Sequence, residues 1–208
     1  MPNVFGDDLP FVVSYPRCGR HWIVACIELY FRRPCACRIN NFLTISERAQ
    51  PKFFYHHHDE TVTSKKLADK VLYLYRHPVD AIYSFYRVDP KRKSYADLND
   101  WVAYRSAQYR KHLLKYLTTS AVLIRYDNLL NNFTVEFSKV CKFFGVEPNE
   151  ERVEEVGLAV TKERMVGQTP WLCNILDVKI EQKNKFYSQF ESAINQIVLP
   201  DVQNFFDE

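Results

Sequence analysis

Three short apolar runs constrain the fold most: Phe11–Tyr15 (FVVSY), Val71–Tyr75 (VLYLY) and Ala121–Tyr126 (AVLIRY). Each is almost continuously apolar, as expected of a strand buried on both faces of a parallel sheet. Each falls far short of the ~20 residues that span a bilayer. A weaker run covers Lys52–Tyr55. Helical patterns lie between the strands. The first, Arg20–Phe31, follows the first strand directly. The second, Val79–Arg87, begins behind Pro78, a good first-turn residue. The third runs over Tyr95–Leu117, with Ser94 as N-cap and Asp97 three residues on, an acidic variant of the capping box. The fourth covers Thr134–Phe144, with Gly145 as its stop and Pro148 beyond. Strands alternating with helices predict βαβ units. The expected fold is α/β: a single domain over residues 1–208, a central parallel sheet flanked by helices. Residues 149–208 read as helical and irregular, with no assignable chemistry.

Composition narrows the function classes. With 208 residues, 47% of them hydrophobic and 25% charged, the chain suits one ordinary globular domain. A net charge of +3 does not call for nucleic acid, but it suits a small anionic ligand. The six cysteines show no framework spacing, which predicts free thiols in a reducing, cytoplasmic setting. Met1–Asp8 is short and acidic, so neither a signal peptide nor a membrane span is expected. The five glycines exclude two nucleotide fingerprints. No window of six holds two of them, so G-x-G-x-x-G is absent, and no pair has the Walker A spacing.

In an open parallel sheet, ligands bind beyond the carboxyl ends of the strands. After the first strand comes Pro16-Arg17-Cys18-Gly19-Arg20-His21-Trp22. This tight loop opens straight into a helix, and such loops aim backbone N–H groups at one point, making an anion site. The bland alternative is a plain turn with two solvated arginines. After the second strand come Arg76, Pro78, Asp80 and, eight residues past Arg76, Ser84. A guanidinium and a hydroxyl there suit a second phosphate. The alternative is a capped helix in which Arg76 pairs with Asp80. After Lys52–Tyr55 comes His56-His57-His58-Asp59. Consecutive residues on an extended chain point to alternate sides, so three adjacent histidines do not share one metal; no metal site is expected. Histidine has the right pKa range for a general base.

These motifs together resemble the sulfotransferases that use 3′-phosphoadenosine-5′-phosphosulfate (PAPS). The family's loop has the form Y-P-K-S-G-T-T-W, and Tyr15–Trp22 stands in its place. Its second motif, R-x-P-x-D-x-x-x-S-x-Y, is present in full as Arg76, Pro78, Asp80, Ser84 and Tyr86. A third element, an apolar strand ending R-Y-E-D-L followed by a helix and F-x-G, matches Arg125-Tyr126-Asp127-Asn128-Leu129 and Phe143-Phe144-Gly145. The resemblance implies a P-loop-like sulfotransferase fold with PAPS as donor and PAP as product. It implies that Arg17, Cys18, Gly19, Arg20, His21 and Trp22 cradle the 5′-phosphosulfate, with Trp22 against the adenine. Arg76 and Ser84 match ligands of the 3′-phosphate, and Tyr126 matches a residue that helps hold the nucleotide. His58 falls in the frame of the family's catalytic base, with His56 two residues back as the substitute. Two departures stand out. Arg17 replaces the family's loop lysine, and Cys18, Arg20 and His21 replace its hydroxyl residues. For the family's C-terminal basic-Gly segment, only Arg164 and Gly167 offer themselves.

The expected reaction is metal-independent, in-line transfer of a sulfuryl group to a hydroxyl or amine. The acceptor is a small molecule, carbohydrate or lipid. Its recognition is expected from Arg32–Gln50, Val88–Lys93 and the C-terminal region. Two rival readings remain. A P-loop-like kinase would need a Walker lysine and a Mg²⁺-binding hydroxyl, which the loop lacks. A non-catalytic nucleotide- or RNA-binding module would use the basic–aromatic stretch Arg87–Tyr95.

Overall fold

A computed structural model of the chain describes residues 9–36, 42–57, 70–161, 163–165 and 179–207. Four parallel strands form one sheet in the order β2-β1-β3-β4: β1 Phe11–Ser14, β2 Tyr55–His57, β3 Val71–Tyr75 and β4 Val122–Arg125. Because β3 pairs beside β1 while β2 lies on its other side, the chain reverses direction across the sheet at β1 and β3. That crevice is where an open α/β sheet binds ligands.

The helices are α1 Arg20–Phe31, α2 Ile45–Arg48, α3 Pro78–Tyr86, α4 Leu98–Leu117, α5 Tyr126–Asn131, α6 Phe133–Phe143, α7 Glu150–Ala159 and α8 Ile180–Val198. The period-2 alternation of the strands sorts them onto two faces. Val12, Leu72, Leu74 and Ile124 pack with α1, α6 and α7 through Ile23, Ile27, Phe137, Val140 and Val153. Val13, Val71, Tyr73 and Tyr75 pack with α3, α4 and α8 through Ile82, Trp101, Tyr109, Phe186 and Phe190. Both faces are therefore dry, which accounts for the continuous apolar reading of β3, buried at all five positions. Among the described residues no helix is long and apolar enough to cross a membrane.

Several sequence expectations shift here. The strand expected at Lys52–Tyr55 lies instead at Tyr55–His57. Residues 53 and 54 spend their backbone groups on the loop after α1: Phe53 N–H donates to Pro34 O (3.0 Å) and Ala36 N–H to Phe54 O (2.8 Å). The long helix begins at Leu98, not Tyr95. Asp97 is its N-cap, accepting from Asn99 N–H (3.1 Å), and Pro90–Ser94 forms a separate 3₁₀ turn. Tyr126 leaves β4 to open α5. The Gly145 stop is as expected: φ is 73°, and Gly145 and Val146 N–H donate to Lys142 O (2.9 Å) and Cys141 O (3.0 Å). Cys18, Cys26, Cys35 and Cys141 are free, buried thiols.

Candidate active site

The loop between β1 and α1 has an unusual backbone. Arg17 (φ 73°) and Gly19 (φ 91°) both lie in the left-handed region. For Gly19 this costs nothing, but for an arginine it stores strain of order 1 kcal/mol, a feature of functional loops. Gly19 is the N-cap of α1 and supplies no side-chain cap, so the helix meets the loop with its positive dipole end bare of any capping side chain.

Around this loop lies a cleft of about 640 Å³, lined by the loop, α3, the start of α5, the end of α7 and the start of α8. Among the described residues, the cations on its wall are Arg17, Arg20, Arg76, Arg87 and Lys183, and the carboxylate is Asp80. Positive charges crowd each other there. Burial lowers the Arg17 pKa, and Arg87 and Arg76 nearby lower it further. Arg17 Nε donates to Ser84 Oγ (3.2 Å), which ties the first motif directly to the second across 67 residues.

Arg76 is fixed from three sides. The buried Tyr109 hydroxyl donates to Arg76 O and accepts from Arg76 N–H (3.2 Å). Arg76 Nη1 reaches Arg17 O (3.5 Å). Its guanidinium stacks on the Tyr126 ring at 4.5 Å. The expected Arg76–Asp80 pair exists, but it is long, at 3.7 Å, and Lys183 Nζ lies nearer the same carboxylate, at 3.0 Å. Burial pushes the Asp80 pKa up. Hydrogen bonding from Tyr187 and the charges of Arg76 and Lys183 outweigh this and hold it below the usual carboxylate range.

Part of the lining is apolar. Trp22 Nε1 donates to Val160 O (2.8 Å), and its ring packs on Tyr126 and Phe133 with centroids 5.7 and 5.8 Å apart. Val160, Met165 and Leu130 continue this part, and Thr161 adds a hydroxyl. Aromatic rings and arginines lining one cleft suit a ligand with an aromatic base and phosphates.

His21 also lines the cleft. Burial, then the charges of Arg20, His56 and Arg17, bring its pKa down to about 3. It is a neutral imidazole at physiological pH. His56, at the buried centre of β2, meets it edge to face at 6.2 Å.

Most of the residues singled out in the sequence therefore converge: Arg17, Gly19, Arg20, His21, Trp22, Arg76, Ser84 and Tyr126 all line one cleft. Cys18 does not. Its side chain is fully buried in the core between β1, β3 and α4, and burial pushes its thiol up to about 12. His56 sits behind His21 and is not on the cleft wall. His58 and Gly167 lie outside the described residues. Arg164 turns back onto its own segment, with Nη1 donating to Ala159 O (3.2 Å). Sequence reasoning gave Arg87 a role only as the start of the rival module's Arg87–Tyr95 stretch, and it missed Lys183. Arg87 was within reach as the C-cap of α3, three residues past Ser84. Lys183 carried no such signal.

A parallel sheet with a glycine-anchored loop and a cationic cleft at its crevice defines an anion- or nucleotide-binding α/β protein. The sequence pattern of the sulfotransferase domain matches residues 7–192, and the chain belongs to that family. No curated protein matches it. Among solved structures it is similar to mouse sulfotransferase SULT7A1 complexed with PAP: 20% identity, TM-score 0.66, 94% of this chain and 85% of that one. It is also similar to retinol dehydratase in complex with androsterone and the inactive cofactor PAP: 13% identity, TM-score 0.53, 93% of this chain and 82% of that one.

Proposed function

We propose that the chain transfers a sulfuryl group from PAPS to a hydroxyl or amine of a small-molecule, carbohydrate or lipid acceptor. The observation that carries this reading is the Arg17–Ser84 hydrogen bond inside a cleft whose described lining holds five cations and one carboxylate. It joins a loop suited to a 5′-phosphosulfate to the α3 hydroxyl that, with Arg76, suits a 3′-phosphate. The family membership and the PAP bound by both similar structures support the same donor.

The residues fit such a donor. Its phosphates and sulfate carry a charge of about −4, close to the formal excess of the cleft wall. PAPS supplies an activated sulfuryl group whose bond to the bridging oxygen breaks as PAP leaves. Arg17, with the N-terminus of α1, stabilises negative charge on the sulfuryl and bridging oxygens without a metal. Arg17 stays protonated throughout, so it stabilises charge but does not donate the proton. Arg76 and Ser84 hold the 3′-phosphate, the guanidinium as a bidentate donor and the hydroxyl as a neutral one. Trp22 lies against the adenine, and Tyr126, stacked under the Arg76 guanidinium, helps hold the nucleotide. His58 accepts the acceptor's proton. His56, buried against His21, supports the wall behind the loop. Buried free thiols are in keeping with a cytoplasmic setting.

The test is an acceptor screen with sulfur-labelled PAPS in the presence of EDTA, run on the wild type and on Arg17→Ala. Transfer by the wild type and loss of roughly 10²-fold or more in the variant support the reading. Transfer abolished by EDTA and restored by Mg²⁺ overturns it in favour of a phosphoryl-transfer type of site.

A further inference from the structure

Strand β3 ends at Tyr75, whose ladder partner on β4 is Arg125. The main-chain N–H and C=O of Arg76 lie just past that ladder and need partners elsewhere. One phenol supplies both. The Tyr109 hydroxyl accepts from Arg76 N–H (3.2 Å) and donates to Arg76 O. Tyr109 stands in the middle of α4 and is fully buried, its ring meeting the Tyr15 ring edge to face at 4.9 Å. The Cys18 side chain, also fully buried, hydrogen-bonds the same hydroxyl. Of residues 16–22, Cys18 alone is off the cleft wall. Burial pushes its thiol up to about 12 and the Tyr109 phenol well above its ordinary range, so both keep their protons. One buried oxygen thus joins the back of the loop to the main chain of Arg76.

We propose that Tyr109 is a positioning residue that sets the spacing between the loop and the Arg76 guanidinium and so selects donors anionic at both ends, a role that rests on the sulfotransferase reading. Tyr109 is not on the cleft wall and touches no ligand; it acts from behind, through Arg76. A tyrosine has only two side-chain torsions, so a buried ring on a long helix holds its oxygen in place. With N–H and C=O both bound to that oxygen, any turn of the Arg76 main chain breaks a hydrogen bond. The far end of the side chain is held separately, by Arg17 O (3.5 Å) and the Tyr126 ring (4.5 Å). Bidentate guanidinium–phosphate contact depends on such alignment. A nucleotide without the 3′-phosphate uses the loop alone, so it is insensitive to where Arg76 stands.

The test compares binding of PAP and 5′-AMP by calorimetry for the wild type, Tyr109→Phe, Arg76→Ala and the double variant, at a temperature where melting curves show each one folded. Tyr109→Phe is expected to weaken PAP about 10-fold and 5′-AMP by less than about twofold, as for a misaligned charge-assisted bond. It should add no further loss in the Arg76→Ala background. A residue that only stabilises the fold would lower the melting temperature and leave the ratio of the two affinities unmoved. Unchanged PAP affinity in Tyr109→Phe, equal weakening of both nucleotides, or additive losses in the double variant overturn the assignment. Where Tyr109→Phe does not fold, Cys18→Ala decides: it should weaken PAP about threefold and selectively, with Cys18→Ser recovering most of the loss, and an absent or unselective effect overturns the role. A wild type that does not distinguish PAP from 5′-AMP overturns the sulfotransferase reading itself, and this role falls with it.

Discussion

Gly19 and Tyr126 touch so closely that no other residue fits at position 19. A Cβ placed on Gly19 would lie 2.3 Å from Tyr126 Cδ2 and 2.5 Å from Cε2. The loop from β1 is thereby pressed against the first residue of α5, and the Arg76 guanidinium stacks on the same Tyr126 ring. Three motifs far apart in sequence meet at this one aromatic ring.

Gly19→Ala is expected to cost stability twice, through the φ of 91° and through the collision with Tyr126. The backbone term alone is of order 1 kcal/mol. In a Gly19→Ala, Tyr126→Ala double variant the collision disappears and only the backbone term persists. The two costs should therefore sum to less than additivity predicts, by roughly 1 kcal/mol or more, read from urea midpoints.

Ser84→Ala removes the acceptor of the Arg17 Nε hydrogen bond and a neutral donor for the 3′-phosphate. A net hydrogen-bond value of about 1 kcal/mol predicts PAP affinity reduced about fivefold, with 5′-AMP affinity hardly changed. Calorimetric titration of both nucleotides separates the two.

The depressed His21 pKa has a consequence for stability. The folded value of about 3 lies below the ordinary 6.5, so between those values the unfolded chain binds more protons than the folded one. Stability contributed at this site is fully present above pH 6.5 and falls as the pH drops toward 3, by on the order of 1 kcal/mol per pH unit at most. His21→Gln should flatten the acid limb of a plot of melting temperature against pH between 6.5 and 4.5. An acid limb as steep as that of the wild type would show that His21 already protonates in the folded protein at ordinary pH.

His58→Ala is expected to lower kcat by about 10²-fold while PAP affinity stays within twofold, as for removal of a general base. His56→Ala should behave differently. His56 is buried and packed on His21, so its loss should appear first as a lower melting temperature. Full activity in His58→Ala together with lost activity in a stably folded His56→Ala would transfer the base to His56.

Much of the fold was legible because β3 is buried at every position, β1 at three of its four, and β4 opens on the apolar run Val122–Ile124. β2 was misplaced because its paired residues are Tyr55, His56 and His57. A histidine in a buried strand gives no apolar signal, whereas the preceding Phe53-Phe54 gives a strong one and packs its rings against Phe144 and Phe31 instead. The α4 start was set three residues early because Ser94 resembles a cap, yet it bonds back to Lys91 O within the 3₁₀ turn. The site was legible where a motif gathers its residues within one loop or one helix. Lys183 was not, because only the packing of α8 on α3 brings it to Asp80, and no local pattern encodes that.

The cleft's charge makes the central claim directly measurable through ligand-linked stability. At 100 times its Kd, PAP should add about 2.7 kcal/mol to the folded state, a rise of roughly 5–10 °C in Tm for a domain of this size, with no divalent metal present. At the same concentration 5′-AMP should give a clearly smaller rise, because the Arg76–Ser84 end of the cleft stays unfilled. A melting temperature unmoved by PAP, or moved equally by 5′-AMP, would contradict the account.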